Sequence, residues 1–118
     1  MDYIVLDLEW NQSPRGKAGE RFGLPFEIIE IGAVKLDKER RVRSRFQEMI
    51  RPAVYRKLHY KTKEILQMDM GELRAARSFP EVIQDFFAWC GEDYVMCTWG
   101  SMDLTELQRN LKYFRVEN

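Results

Sequence analysis

Histidine and cysteine are scarce in this sequence of 118 residues, which has one histidine, His59, and two cysteines, Cys90 and Cys97. The cysteines lack a CxxC spacing, so neither a disulfide framework nor a zinc site is predicted. A Ser/His/Asp or Cys/His nucleophile would need His59, which lies in a basic loop and is more typical of a surface or stacking residue. Nucleophilic catalysis of either type is therefore disfavoured.

Long apolar runs are also missing, since none approaches the roughly 18 residues that cross a bilayer. The first residues carry a strand pattern rather than a signal peptide, so we expect a cytoplasmic protein with no membrane contact. Hydrophobic residues make up 45% of the chain and charged residues 32%, without low-complexity segments or internal repeats. These proportions predict a single folded domain over residues 1–118.

The net charge is zero, but the charges are unevenly distributed along the chain. Residues 38–63 hold ten Lys and Arg against two acids, a net charge of +8, and the rest of the chain carries −8. This distribution is compatible with a phosphate backbone lying on one part of the surface while carboxylates gather elsewhere. A solvated basic strand and loop explains each single residue about equally well.

The hydrophobic periodicity predicts the element order β-β-β-α-α-β-α. Strands are expected over residues 3–9, 27–36, 41–50 and 94–99, and helices over 61–67, 79–90 and from 102 onward. Ser78 and Ser101 are the expected N-caps, Gly91 is the expected helix stop, and residues 68–77 are ambiguous. The order predicts a mixed sheet in which an antiparallel meander is joined by a strand that returns through helices.

Two carboxylates, Asp7 and Glu9, end the first strand in the stretch IVLDLEW. Alternate residues of a strand share a face, so these side chains point the same way with stems roughly 7 Å apart. Two anions this close need solvation, a basic partner or a bound cation. Two Mg²⁺ or Mn²⁺ ions about 4 Å apart can hold both the attacking water and the leaving oxygen of a phosphodiester.

Asp103, in the first turn of the helix after strand 94–99, is the candidate third ligand, because connections out of a sheet commonly form active sites. Each acid also has an ordinary explanation. An Asp-x-Glu pair is common at an exposed strand end, and an acid in a first helical turn is favoured by the helix dipole. Glu27 and Glu30 lie in the second strand near the same site, but they are given no catalytic role.

With these residues in place, the sequence resembles the DEDD (DnaQ-like) 3′-to-5′ exonucleases of the ribonuclease H-like fold, and most closely their KapD-like subgroup. The resemblance covers nearly the whole chain through IVLDLEWN, EIIEIGAVKLD, LHYKTKEI, SFPEVIQDFFAW and TWGSMDLTEL. It implies an α/β fold with a mixed sheet, in which three antiparallel strands are joined by a parallel strand, and flanking helices.

The resemblance implies metal-dependent hydrolysis of nucleotides from the 3′ end of single-stranded RNA or DNA, releasing nucleoside 5′-monophosphates. Two divalent ions, Mg²⁺ or Mn²⁺, would be held by Asp7, Glu9 and Asp103. Asp7 would contact both ions, Glu9 would help hold the one that activates water, and Asp103 would support the other. Trp10 and Asn11 would lie against the terminal nucleotide.

The family's third motif supplies a histidine base and a fourth acid, and the sequence ends at Asn118 before that motif. The resemblance therefore implies a C-terminally truncated chain that lacks its final strand and helix, with an incomplete active site and impaired activity. The missing elements would expose a sheet edge or an apolar patch, so we expect self-association.

Two alternatives to the exonuclease stay open, namely a non-catalytic nucleic-acid-binding module with the same fold and an endonuclease. Carboxylates aimed at a phosphate favour an enzyme over a pure binder. An endonuclease would make internal cuts instead of a ladder that shortens from the 3′ end. No feature of the sequence reads a 2′-hydroxyl, so the choice between RNA and DNA has no sequence signal.

Overall fold

The computed structural model describes residues 1–66 and 69–117, which form one mixed four-stranded sheet flanked by helices. The strands are β1 (Asp2–Asn11), β2 (Glu27–Leu36), β3 (Val42–Met49) and β4 (Tyr94–Cys97). The helices are α1 (Tyr60–Leu66), α2 (Met70–Arg74), α3 (Phe79–Cys90) and α4 (Met102–Tyr113), with a short 3-10 helix at Gly16–Gly19. The spatial order is β3-β2-β1-β4. β1, β2 and β3 are antiparallel and β4 joins β1 in parallel, which confirms the predicted sheet.

The sheet has one buried face because apolar and polar residues alternate along β1. Ile4, Leu6 and Leu8 are buried, whereas Asp7 is exposed on the opposite face. The two longest helices, α3 and α4, pack against the buried face and contribute its apolar partners, which include Val82, Ile83, Phe86, Leu107 and Leu111. This arrangement leaves the carboxylate face accessible to solvent.

The predicted limits of α3 are confirmed by its capping interactions. The Ser78 hydroxyl accepts a hydrogen bond from the Glu81 backbone N–H at 3.4 Å, as the N-cap residue of a capping box does, and it donates one to the Glu81 carboxylate at 2.8 Å. Gly91 ends the helix with φ of 79°, a conformation that glycine adopts at little cost. Ser101 precedes α4 as predicted, but its side chain makes no capping bond to any residue that the structure describes.

Within the described residues, the chain forms one α-helix more than the periodicity predicts, besides the short 3-10 helix. Within the ambiguous residues 68–77, the Asp69 carboxylate accepts a hydrogen bond from the Glu72 backbone N–H at 2.8 Å and caps α2. This helix has five residues and only Leu73 is buried, so it is too short to show an apolar period. The predicted end of the preceding helix at residue 67 lies outside the described residues.

Several apolar side chains remain exposed near the edges of the sheet. Val42 is 54% exposed, Val95 is 42% exposed, and Trp99 beyond the end of β4 is 99% exposed. Exposed apolar surface of this kind favours association, and self-association of the chain stays a prediction. Among the described helices, none has the length and apolar character needed to cross a membrane.

Candidate active site

The predicted pair of carboxylates lies on the open face of β1. In the pairing with β2, Asp7 is opposite Gly32 and Glu9 is opposite Glu30. Because Gly32 has no side chain, the surface beside Asp7 is hollow and forms a shallow depression of about 300 Å³ that Arg45 and Gln47 of β3 also line. Asp7 therefore borders a depression that crosses the sheet toward β3.

Asp103 is brought to this pair by a hydrogen bond to the strand itself. β4 pairs with β1 only at Asp2–Val5. Beyond Val5, the backbone N–H groups of β1 that point toward the β4 side have no strand partner. The Asp103 carboxylate accepts the Leu8 backbone N–H at 3.1 Å. Leu8 is the residue between Asp7 and Glu9, so all three predicted carboxylates lie at the same end of β1.

Glu9 lies in a partly desolvated position with three other acids near it. Desolvation by burial raises the pKa of Glu9, and the negative charges of Asp7, Glu30 and Asp103 raise it further. No Lys or Arg among residues 1–66 and 69–117 forms an ion pair with any of these four acids. The site therefore carries negative charge that the described side chains do not neutralise.

The donor set suits a hard divalent cation, because carboxylate oxygens are the ligands that Mg²⁺ and Mn²⁺ prefer. The uncompensated charge around Glu9 agrees with such a cation. Within the described residues, no three His, Cys, Asp or Glu side chains lie close enough together to hold one metal ion in their present conformations. The residues fit a divalent ion in kind and charge, and side-chain rotation would have to complete the coordination.

Glu30 is one of the two acids near the site, with Glu27, to which the sequence assigns no role. Its position opposite Glu9 places two like charges side by side, which destabilises a sheet unless something separates them. The Gln47 amide donates a hydrogen bond to Glu30 at 3.3 Å. Alternation within β2 hinted that Glu30 shares a face with Gly32, but only the strand register shows that this face is the one carrying Asp7.

Trp10 and Asn11 follow the carboxylates and are turned toward the protein. The Trp10 ring packs against Phe26 with ring centres 5.5 Å apart. Asn11 is fully buried, and its amide donates to the carbonyl oxygens of Tyr55 and Lys57 at 3.4 and 3.0 Å. Both amide hydrogens of Asn11 are thus in use, and the contact of Trp10 and Asn11 with a nucleotide stays a prediction.

His59 lies in the same buried contact rather than at the surface. Its backbone N–H donates to the Asn11 side-chain oxygen at 2.9 Å, and its ring stacks on Tyr60 with centres 4.5 Å apart. The ring nitrogen Nδ1 accepts the Lys61 backbone N–H at 3.2 Å. The stacking agrees with the sequence-based interpretation, while the burial differs from the predicted surface position because Asn11 pulls the loop onto the sheet.

Glu106 lies one turn beyond Asp103 in α4 and is a buried acid with one exposed partner. Its Oε1 accepts a hydrogen bond from Arg109 at 2.6 Å, whereas its buried Oε2 has no hydrogen-bond partner within the described parts of the chain. Burial raises the pKa of Glu106, and the Arg109 guanidinium lowers it in part. The raised pKa means that the ionised form is the costly one in the folded protein.

Replacing Glu106 by glutamine is expected to stabilise the protein by about 1 kcal/mol at neutral pH, because the amide keeps an acceptor for Arg109 and removes a buried charge. A carboxyl whose pKa is raised on folding loses stability as the pH rises from 4.5 through the folded pKa. The advantage of Glu106→Gln should therefore shrink at pH 4, as measured by urea unfolding at both pH values. An advantage that grows at pH 4 would contradict this sign, and Glu92→Gln, at an exposed turn, is the control.

Solved structures of nucleases share this architecture. The nuclease domain of 3′hExo, a DEDDh family member bound to rAMP, is 21% identical with a TM-score of 0.80, over 98% of this chain and 60% of that one. Cell-death related nuclease 4 (CRN-4) is 18% identical with a TM-score of 0.82, over 99% and 41%. E. coli exonuclease I in complex with a dT13 oligonucleotide is 14% identical with a TM-score of 0.70, over 94% and 23%. The sheet and its flanking helices thus have the ribonuclease H-like fold of exonucleases.

The sequence model of the Exonuclease family, RNase_T, matches residues 4–118. The chain therefore belongs to the exonuclease family. No curated protein matches the sequence. The chain spans less than two thirds of the length of each of the three nuclease structures that it resembles.

Proposed function

We propose that this chain acts as a 3′-to-5′ exonuclease that binds divalent metal ions and hydrolyses phosphodiester bonds at the 3′ end of RNA or DNA, releasing nucleoside 5′-monophosphates. The observation that carries the proposal is the hydrogen bond between Asp103 and the Leu8 backbone N–H. This bond brings an acid from the far end of the chain to the segment that presents Asp7 and Glu9. A cluster of carboxylates without basic partners would repel a phosphate unless cations were bound.

The placement of the residues supports the roles that we propose for them. Asp7 is exposed beside the depression at Gly32, so it is the carboxylate most open to a metal ion and a scissile phosphate. The negative charges of the neighbouring acids raise the pKa of Glu9, and a bound cation would offset them. Glu9 would help to hold the ion next to the attacking water. Asp103 has Oδ2 fixed by Leu8, which leaves Oδ1 for a ligand. When bound, two Mg²⁺ or Mn²⁺ ions would supply water activation and charge stabilisation at the phosphate.

Nucleic acid as the substrate is supported by the ligands of similar proteins. The 3′hExo nuclease domain was solved with rAMP, and E. coli exonuclease I was solved with a dT13 oligonucleotide. A ribonucleotide and a deoxyribonucleotide strand are both compatible with this fold, and we propose a single strand with a free 3′ end as the substrate.

The experiment that tests the proposal compares linear and circular substrates of one sequence. The chain is incubated with 5′-labelled single-stranded RNA or DNA and with closed single-stranded circles, in Mn²⁺ or Mg²⁺. We expect a ladder that shortens from the 3′ end of the linear strand, intact circles, and no cleavage when a chelator is added, because the carboxylates alone cannot hold a phosphate. Products are separated on a denaturing gel.

The same gel separates the alternative functions. Internal fragments and linearised circles would identify an endonuclease. Binding of the strand without any cleavage, in the presence of either metal, would favour a non-catalytic binding module. Cleavage that continues in the presence of a chelator would contradict the metal-dependent mechanism.

Asp7, Glu9 and Asp103 are the three carboxylates proposed to hold two divalent ions, which is few ligands for two ions, so we expect the second ion to bind weakly and cleavage by residues 1–118 to be slow. Membership of the KapD-like subgroup rests on the resemblance of the sequence alone and stays a prediction.

A further inference from the structure

A second polar site lies beside the loop that follows β3. It is a cavity of about 360 Å³ whose lining comprises Arg51, Pro52, Ala53, Arg56, Met70 and Arg74. Arg51 and Arg56 belong to the loop, and Arg74 is the last residue of α2. All three arginines are exposed, so three guanidinium groups surround one hollow that opens to solvent.

The charges of these arginines have no counterpart in the cavity. No acid is among its lining residues, and none of the three arginines forms an ion pair in the part of the chain that the structure describes. Other arginines do hold carboxylates, namely Arg41, Arg43, Arg77 and Arg109. Like charges around one hollow repel one another, and guanidinium donors match the oxygens of a phosphate. The cavity therefore suits a phosphate group.

The loop that supplies two of these arginines is held in place by backbone hydrogen bonds. The Glu27 carboxylate accepts hydrogen bonds from the backbone N–H groups of residues 53–55 at 2.7, 3.0 and 2.9 Å. The Arg51 backbone N–H donates to the Arg77 carbonyl at 2.8 Å. A loop that is already ordered loses less conformational entropy when a ligand binds.

The loop that lines the cavity lies on the same face of the sheet as the carboxylates. Asn11 follows Glu9 by two residues in β1, so both side chains leave the same face of the sheet. Asn11 holds the loop at Tyr55 and Lys57. The loop therefore lies on the carboxylate face just beyond Glu9, and Arg51 follows a strand that is two strand spacings, or about 10 Å, from β1.

We propose that Arg51, Arg56 and Arg74 bind the phosphodiester backbone of the single-stranded substrate, on the 5′ side of the nucleotide that is cleaved at Asp7 and Glu9. This inference rests on the proposed function. It adds a second binding site for the strand, at a distance from the bond that is cleaved. A strand that is long enough to reach the arginines gains affinity, whereas a dinucleotide gains none.

The test is a triple variant in which Arg51, Arg56 and Arg74 are replaced by glutamine. Binding of a 5′-fluorescein single strand is measured by fluorescence anisotropy over a salt series, with a chelator present so that no cleavage occurs. We expect binding about tenfold weaker at 0.1 M salt, and a plot of log K against log salt that is shallower by about 2, because each phosphate contact on a single strand contributes about 0.7. Circular dichroism verifies that the variant is folded.

The matched control removes three positive charges at the other end of the β2–β3 hairpin, through Lys38→Gln, Arg41→Gln and Arg43→Gln. The control variant should bind as wild type does, to within about twofold. A second variant with lysine at all three cavity positions keeps the charge and should keep the salt slope. Equal weakening of the cavity variant and the control, or no weakening of either, would overturn the proposal.

Cleavage assays separate this inference from the proposed function. In Mn²⁺, the cavity variant should raise KM for a long strand and leave the cleavage of a dinucleotide unchanged. If wild type binds strands through the arginines but cleaves none, the arginine site stands and the nuclease proposal fails. If wild type cleaves and the cavity variant binds like wild type, the nuclease proposal stands and the arginine site fails.

Discussion

Replacing Asp7 by asparagine is expected to reduce metal-dependent cleavage on the order of 1000-fold while leaving the fold intact. Asp7 is exposed beside the Gly32 hollow, so the isosteric amide disturbs no buried contact. It does remove a negative charge from the one place where a metal ion would meet the scissile phosphate. Initial rates on a 5′-labelled single strand in Mn²⁺ and Mg²⁺ give the comparison.

The control for this variant is Asp93→Asn, which removes an exposed acid near the N-terminus of the chain at the other end of the sheet. This variant should cleave at the rate of wild type. Thermal unfolding adds an independent readout. Mn²⁺ should raise the melting temperature of wild type by preferential binding to the folded state, and it should raise that of Asp7→Asn less. An Asp7→Asn variant that cleaves within about tenfold of wild type would remove Asp7 from the mechanism.

Replacing Glu27 by alanine is expected to cause the largest loss of stability, about 3 kcal/mol or more. Glu27 is 1% exposed and accepts hydrogen bonds from three consecutive backbone N–H groups of residues 53–55. Alanine leaves these donors without an acceptor. The Tyr55 N–H is buried and those of Ala53 and Val54 are partly buried, and a buried donor without a partner costs about 1–3 kcal/mol. Urea unfolding at neutral pH measures the change, and hydrogen exchange of the amides at residues 53–55 should accelerate.

The matched control for Glu27 is Glu30→Ala in the same strand. Glu30 lies opposite Glu9 on the open face, and its removal relieves a repulsion between like charges. The Glu30→Ala variant should therefore be at least as stable as wild type. A Glu27→Ala variant within about 1 kcal/mol of wild type would show that water replaces the carboxylate at residues 53–55.

Glu27 is buried and Glu30 lies among the acids of the site, and the sequence does not predict this difference. Both acids are visible in EIIEIGAVKL, and their spacing of three residues places them on opposite faces of a regular strand. The register of β1 and β2 shifts between Glu9 and Trp10, which are opposite Glu30 and Ile28. The resulting bulge leaves Ile29 without a partner residue in β1 and puts Glu27 opposite Asn11, where the loop at residues 53–55 covers it. No local signal in the sequence predicts that shift.

Much of the secondary structure is nevertheless predicted by local sequence patterns. The strands follow from alternation with a period of two, and α3 follows from the capping box at Ser78 and the stop at Gly91. These signals act within about four residues, so the sequence shows them directly. The five-residue helix α2 was not predicted because its only local signal is the Asp69 cap.

The sequence by itself determined the order of the strands and longer helices, the common face of Asp7 and Glu9, and the family. Only the tertiary structure decided that Asp103 meets Leu8 across 95 residues of chain, that Glu30 joins the acids, and that Asn11 is buried. The physical reason is that periodicity and capping depend on neighbouring residues. Strand register and the pairing of buried polar groups depend on segments that meet only when the whole sheet has formed.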